Sequence, residues 1–236
     1  MSMENTSNCW TALADVIEAG IDRVLLYGPP GTGKTYAALT VGTPTAAFKL
    51  VCTEDLTSAD LTGMWRPNAQ GGFDFFEGPA IQAWTANGGR GGRLVVDEAD
   101  RASGDVLSQL LAMTDSPESA RWEHPLTGEV VRPGPQFSVI MTSNIEDPDD
   151  LPVALADRFP VRVHIDQPPA AAVERLSADL RAGALYGTGD DRLALRSLYA
   201  FETLRKAHGD QRAAQLVFGK RAEGVLDSLA VARVGR

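Results

Sequence analysis

One octapeptide constrains this chain more than any other feature. Gly28-Pro29-Pro30-Gly31-Thr32-Gly33-Lys34-Thr35 follows the compact apolar run Val24-Leu25-Leu26-Tyr27 and leads into a helix-compatible stretch from Lys34 to Val41. Strand, glycine-rich loop and helix together form an arrangement that wraps an oligophosphate. The glycines let the backbone approach closely, while successive N–H groups and the helix N-terminus face the negative charge. In such a loop Lys34 reaches the β- and γ-phosphates and the Thr35 hydroxyl holds Mg²⁺, so nucleotide binding is predicted.

Apolar periodicity switches repeatedly over the first 166 residues, which predicts an α/β fold. Trp10–Ala19 reads as a short helix closed by Gly20, and Val24–Tyr27 as the first strand. Ala46–Cys52, Leu94–Val96, Phe137–Met141 and Val161–Ile165 read as four more. Short strands separated by helical stretches imply a five-stranded, mostly parallel sheet covered on both faces. Two segments break the alternation. Residues 61–76 (LTGMWRPNAQGGFDFF) and 121–136 (RWEHPLTGEVVRPGPQ) have turn-rich centres, as inserted hairpins do. After Gln167-Pro168-Pro169 the strand signals vanish. Helical patterns at about 170–182, 191–207, 211–218 and 220–233 predict a small all-α domain over 167–236.

A second site of chemistry is Leu94-Val95-Val96-Asp97-Glu98. Ligands of open α/β sheets bind at the carboxyl ends of strands, so Asp97 is expected to face the same crevice as the loop. There Asp97 would hold the Mg²⁺ shell with Thr35, and Glu98 would polarise a water for in-line attack on the γ-phosphate. Thr142-Ser143-Asn144 closes the fourth strand, where the Asn144 amide either orients that water or serves as a turn residue. Arg158, in Asp157-Arg158-Phe159, is either an ordinary surface ion pair or an arginine offered to a neighbour's phosphates. His124 and His164 have no second histidine or cysteine at ligand spacing, so no metal beyond Mg²⁺ is expected.

Composition narrows the setting. The 236 residues carry 22 Lys+Arg and 31 Asp+Glu, a net charge of −9, split as −12 over residues 1–166 and +3 over 167–236. The acidic core argues against non-specific nucleic-acid binding without excluding a local basic groove. Opposite signs also suit association of one segment with the other, in one chain or between copies. Two cysteines, Cys9 and Cys52, suit a reducing compartment. No apolar run approaches the roughly 18 residues that cross a bilayer, and residues 1–8 lack a leader's layout. A soluble cytoplasmic protein with no membrane partner is expected.

The ordered set GPPGTGKT, LVVDEAD, TSN and ADRF resembles AAA+ ATPases. The insert before DFFEGPAIQAW, and DEADRAS after the third strand, look like the MoxR-type branch of the helix-2-insert group, close to the dynein-related domains. The resemblance covers nearly the whole chain. It implies an αβα sandwich over 1–166, a helical lid over 167–236, and an ATPase that holds ATP and Mg²⁺ between neighbours in a ring, commonly a hexamer. Carried onto this sequence, Gly28, Pro29, Pro30, Gly31, Thr32, Gly33, Lys34 and Thr35 match the phosphate loop, Asp97 the Mg²⁺ acid and Glu98 the catalytic base. Asn144 matches the first sensor, and Arg158 the finger that acts on the neighbour's ATP. LALRSLYAF resembles the start of the lid helix that carries the second sensor, which makes Arg196 the candidate and Arg192 a weaker contender. The chain departs from the family at Asp100, where Asn is usual, and at Ile145, where Pro often follows the sensor Asn.

In the family the two insertions face the pore or the substrate side, which makes Trp65, Phe73, Phe75 and Phe76 candidates to grip a polypeptide. Packing on the hairpin's own core is the alternative, favoured for Phe75 and Phe76. Little chain flanks the motor, so substrate choice is expected to come from the insertions or from a separate protein. The leading function is an ATP-hydrolysing motor that remodels a protein partner, with a von Willebrand factor A-domain protein as the adaptor by analogy. Two other functions stay open. One is a nucleic-acid translocase of the restriction type, supported by Arg66, Arg90 and Arg93 near the insertion. The other is a nucleotide-switched scaffold with little turnover.

Overall fold

The computed structural model describes residues 8–102, 104–186 and 193–234; Arg192 lies outside the described residues. The chain divides into two compact units. The described residues of Met1–Gly28 and Lys34–His164 form the first, and those of Pro29–Gly33 and Ile165–Arg236 form the second.

The first unit runs α1 (Asn8–Glu18), β1 (Arg23–Tyr27), α2 (Lys34–Thr40), β2 (Ala47–Val51), α3 (Ser58–Thr62), β3 (Gly63–Pro67), β4 (Phe73–Glu77) and α4 (Pro79–Gly89). It continues through β5 (Arg93–Asp97), α5 (Gly104–Met113), β6 (Trp122–Glu123), β7 (Val130–Val131), β8 (Ser138–Thr142), α6 (Val153–Arg158) and β9 (Val161–His164). Five of these strands form one parallel sheet in the order β2-β5-β8-β1-β9. The inner strands are unbroken apolar runs because helices cover both faces: Val24–Leu26, Leu94–Val96 and Val139–Met141 are all buried. Edge strand β2 is more open, with Lys49 and Val51 exposed. The sheet's core also holds Leu61, Trp84, Leu110 and Phe159.

Two charged side chains are buried among the described residues of this unit, Lys34 and Arg93. Arg93, at the start of β5, is buried and donates Nη1–H to the carbonyls of Ala38 (3.1 Å) and Val41 (2.6 Å) at the end of α2. A guanidinium there satisfies carbonyls that a helix terminus leaves without partners. It also ties α2 to the face of β5 that carries Asp97, four residues along the same strand.

The two inserted hairpins are β3–β4 and β6–β7, both antiparallel. In the first, Trp65 pairs with Phe75 and Met64 with Phe76, so the adjacent phenylalanines point to opposite faces. Phe75 is half-buried against Trp65, Trp122 and His124, with ring centroids 5.5, 5.9 and 5.6 Å away, and knits the two hairpins together. Phe76 is 47% exposed, with the Arg66 guanidinium 5.0 Å over its ring. The packing expected of both rings therefore holds for Phe75 and fails for Phe76. Trp65 and Phe73 are also exposed.

The second unit holds α7 (Ala170–Glu174), α8 (Ala178–Tyr186), α9 (Leu195–Phe218) and α10 (Ala222–Val234) around Leu180, Leu198, Phe201, Ala213 and Ala214. The pattern read as one helix over 170–182 is two. They part at Ser177, whose N–H donates to the Glu202 carboxylate at 3.1 Å. The patterns at 191–207 and 211–218 meet in α9, where the helical backbone breaks at Gly209 (φ 77°, ψ 165°). Among the described residues no helix is long and apolar enough to cross a membrane.

Gly78 joins the first hairpin to α4. Its N–H donates to the Thr62 carbonyl at 2.9 Å, and a Cβ there would lie 2.4 Å from the Leu61 carbonyl oxygen. Gly78→Ala is expected to lower the unfolding free energy by about 1–3 kcal/mol in urea denaturation, because backbone rather than a flexible side chain must move.

Candidate functional site

The carboxyl ends of β1, β5 and β8 bring Gly28, Asp97 and Thr142 to one edge of the sheet. Gly28, Gly31 and Gly33 have φ of 125°, 78° and 98°, values that side-chain-bearing residues rarely adopt. Gly31 also packs closely against the second unit's own chain. A Cβ on it would lie 2.5 Å from the Ala194 Cβ, and its carbonyl accepts the Leu195 N–H at 3.3 Å. Within the second unit the start of α9 thus rests on the loop, and Arg196, exposed in the first turn of α9, is the next residue along. The Thr32 hydroxyl donates to Pro29 O at 3.2 Å. Lys34 is 5% exposed, and its Nζ donates to the Gly28 carbonyl at 2.7 Å.

Asp97 is the most heavily bonded acid of the site. Its Oδ1 accepts hydrogen bonds from the Thr35 hydroxyl at 2.7 Å and the Thr142 hydroxyl at 2.5 Å, and its Oδ2 lies 2.7 Å from Lys49 Nζ. Burial works to raise its pKa, but the bonds from Lys49, Thr142 and Thr35 outweigh burial and hold the carboxyl below its ordinary value. Thr35 Oγ1 and the Asp97 carboxylate are hard oxygen donors about as far apart as two neighbouring ligands of an octahedral ion with ~2.1 Å bonds. They fit Mg²⁺.

Glu98 has a different environment. It adopts the left-handed conformation (φ 56°, ψ 46°), uncommon for a non-glycine residue. Its N–H donates to Thr142 Oγ1 at 3.3 Å, and its Oε2 lies 3.2 Å from Arg101 Nε. The neighbouring carboxylates are therefore held by different partners. Beyond Thr142, the Ser143 hydroxyl donates to Asp100 Oδ1 at 2.5 Å and accepts the Ile145 N–H at 3.2 Å. Asn144, between them, is exposed.

Thr35, Asp97 and Thr142 thus meet directly, with Glu98 and Asn144 beside them. Arg158, at the end of α6, instead faces Asp115, with Nη2 3.5 Å from Oδ2 and its Nε buried without a partner among the described residues. Two residues of the cluster had no role in the sequence reading. Thr142 lay in the recognised TSN segment, and Lys49 was visible only as one charge inside the apolar run AFKLV.

A family model described as AAA domain (dynein-related subfamily) matches residues 23–159. A crystal structure of a candidate ATPase from Cytophaga hutchinsonii is 21% identical, with a TM-score of 0.49, over 92% of this chain and 66% of that one. This chain therefore spans about 66% of the length of that protein. No curated protein matches the sequence.

Cys52 lies behind the acids, fully buried, its N–H donating to the Asp97 carbonyl at 2.8 Å. Burial first, then the charges of Asp100, Asp97 and Glu98, push its thiol up to about 12. The ordinary value is 9.0, so the unfolded chain ionises first as pH rises, and stability present below pH 9 is lost between the two values. At about pH 8, iodoacetamide is expected to label Cys52 only after unfolding. Above pH 9, urea midpoints should fall less steeply in Cys52→Ala than in the parent.

Proposed function

The chain belongs to the dynein-related subfamily of AAA domains, and from that premise we propose that it is a MoxR-type AAA+ ATPase that binds ATP with Mg²⁺, hydrolyses it, and works as a ring of identical copies on a protein partner. The observation that carries this reading is the Asp97 carboxylate joined to the Thr35 hydroxyl in the first turn of α2.

The loop N–H groups and Lys34 bind the phosphates, and Thr35 and Asp97 hold the metal. When bound, Mg²⁺ neutralises phosphate charge as it builds up. Glu98 takes the proton of the attacking water, and Asn144 orients that water from the end of β8. The separate partners of the two carboxylates support this division of labour, with Glu98 beside Arg101 and Asp97 held by Thr35, Thr142 and Lys49. Arg158, about a third exposed, is offered to the triphosphate of the adjacent copy, and Arg196 senses the nucleotide beside the loop. Exposed Trp65, Phe73 and Phe76 favour a separate polypeptide as the substrate or adaptor.

Glu98→Gln is expected to keep ATP binding and lose turnover by a factor on the order of 10²–10⁴ in a phosphate-release assay; parental turnover would remove Glu98 from its role. Arg158→Ala should lose about 10³ in turnover, and mixing it with Lys34→Ala should restore part of the activity, because the two defects lie on opposite sides of a shared interface. A chain that stays monomeric by native mass spectrometry with saturating ATP and Mg²⁺ would overturn the ring.

A further inference from the structure

The contact that no motif assigns is Lys49. It is the third residue of edge strand β2, opposite Val95, and so lies on the same face as Asp97 and one pleat away. A lysine on an edge strand ordinarily keeps that edge from pairing with another chain, which asks only that its charge reach water. This one turns inward instead. Its Nζ is 2.7 Å from Asp97 Oδ2, with the side chain 38% exposed against 13% for the acid. The opposite oxygen of Asp97 already serves Thr35 and Thr142. The carboxylate that fits Mg²⁺ is therefore shared with a full positive charge.

We propose that Lys49 competes with Mg²⁺ for Asp97 and so sets the metal affinity of the site. This rests on the reading of Thr35 and Asp97 as metal ligands. A divalent ion on Asp97 stands within a few ångströms of the ammonium, and like charges at that distance repel. Lysine suits the role because its ammonium is a point charge on a flexible, partly exposed stem that can swing from the acid into water. The metal alone does not offset that repulsion. The metal together with a triphosphate does, because the phosphates add negative charge on the far side of the ion. Lys49 thereby makes the site accept metal with nucleotide and discriminate against metal alone.

Two measurements on the full chain test this, with Lys49→Met as the main variant and Lys49→Gln as the substitute if Met impairs folding. Mn²⁺ binding without nucleotide, followed by the electron paramagnetic resonance of the free ion, should tighten about tenfold or more in either variant and stay parental in Lys49→Arg. With a saturating non-hydrolysable ATP analogue, the Mg²⁺ concentration for half of the metal-dependent thermal stabilisation should fall in the same direction, and analogue affinity in EDTA should not change. Unchanged or weaker Mn²⁺ binding in a folded neutral variant overturns the proposal. Failure of the parent to bind the analogue overturns the nucleotide reading instead, and the Mn²⁺ measurement still decides the role of Lys49.

Discussion

The site depends on keeping one carboxylate ionised while it is mostly withdrawn from water. Burying a charge costs several kcal/mol unless donors replace the lost water. Asp97 receives them from three elements: Thr35 on α2, Lys49 on β2 and Thr142 on β8. Lys49 and Thr142 reach it only because the parallel sheet holds its register. A one-residue slip of β5 would turn Asp97 to the opposite face. The packed runs Leu94–Val96 and Val139–Met141 are what prevent that slip, and Arg93 fixes α2 against the same face four residues earlier. Core packing and site chemistry are thus joined through strand register.

Much of this was legible in the chain because the relevant physics is local. The glycine spacing of residues 28–35 dictates a loop, and apolar runs ending in Asp97 and Thr142 mark strands that deliver polar groups to one end of a sheet. What escaped is what register alone decides. Lys49 looks like any edge-strand lysine until β2 is set beside β5. Phe75 and Phe76 look equivalent in FDFF, yet two consecutive residues of a strand cannot face the same way, and it is Phe75 that lands against Trp122 and His124. The break between α7 and α8 escaped for a similar reason, since the group that receives the Ser177 N–H, Glu202, lies 25 residues away.

The hairpins divide along the same two faces. The inner one, through Phe75, Trp122 and His124, makes a single aromatic cluster from segments that are far apart in sequence. Trp122 and Val131 also pack against the core of the main sheet, so the cluster anchors the insertions to it. The outer face keeps Phe76 and Arg66 at the surface, joined by a cation–π contact that organises the side chains while leaving apolar area available. An insertion stiffened through Phe75 while Trp65, Phe73 and Phe76 stay exposed loses less conformational entropy on meeting a partner than a mobile loop would.

The two departures from the family pattern, Asp100 and Ile145, are joined through the hydroxyl of Ser143. Ionised aspartate only accepts hydrogen bonds, and Ser143 supplies the donor by directing its hydroxyl to Asp100 Oδ1. That leaves the serine oxygen able to accept, and the Ile145 N–H fills the position. Proline at 145 has no N–H to give, so the chain of bonds from residue 145 through Ser143 to residue 100 would end at the serine. The Ile145 carbonyl in turn accepts the Gly28 N–H, at the first residue of the glycine-rich loop. One hydrogen-bonded line therefore runs from that loop, past the segment carrying Asn144, to the turn after Glu98. Bonds in such a line polarise one another, which couples residues 100 and 145 through Ser143.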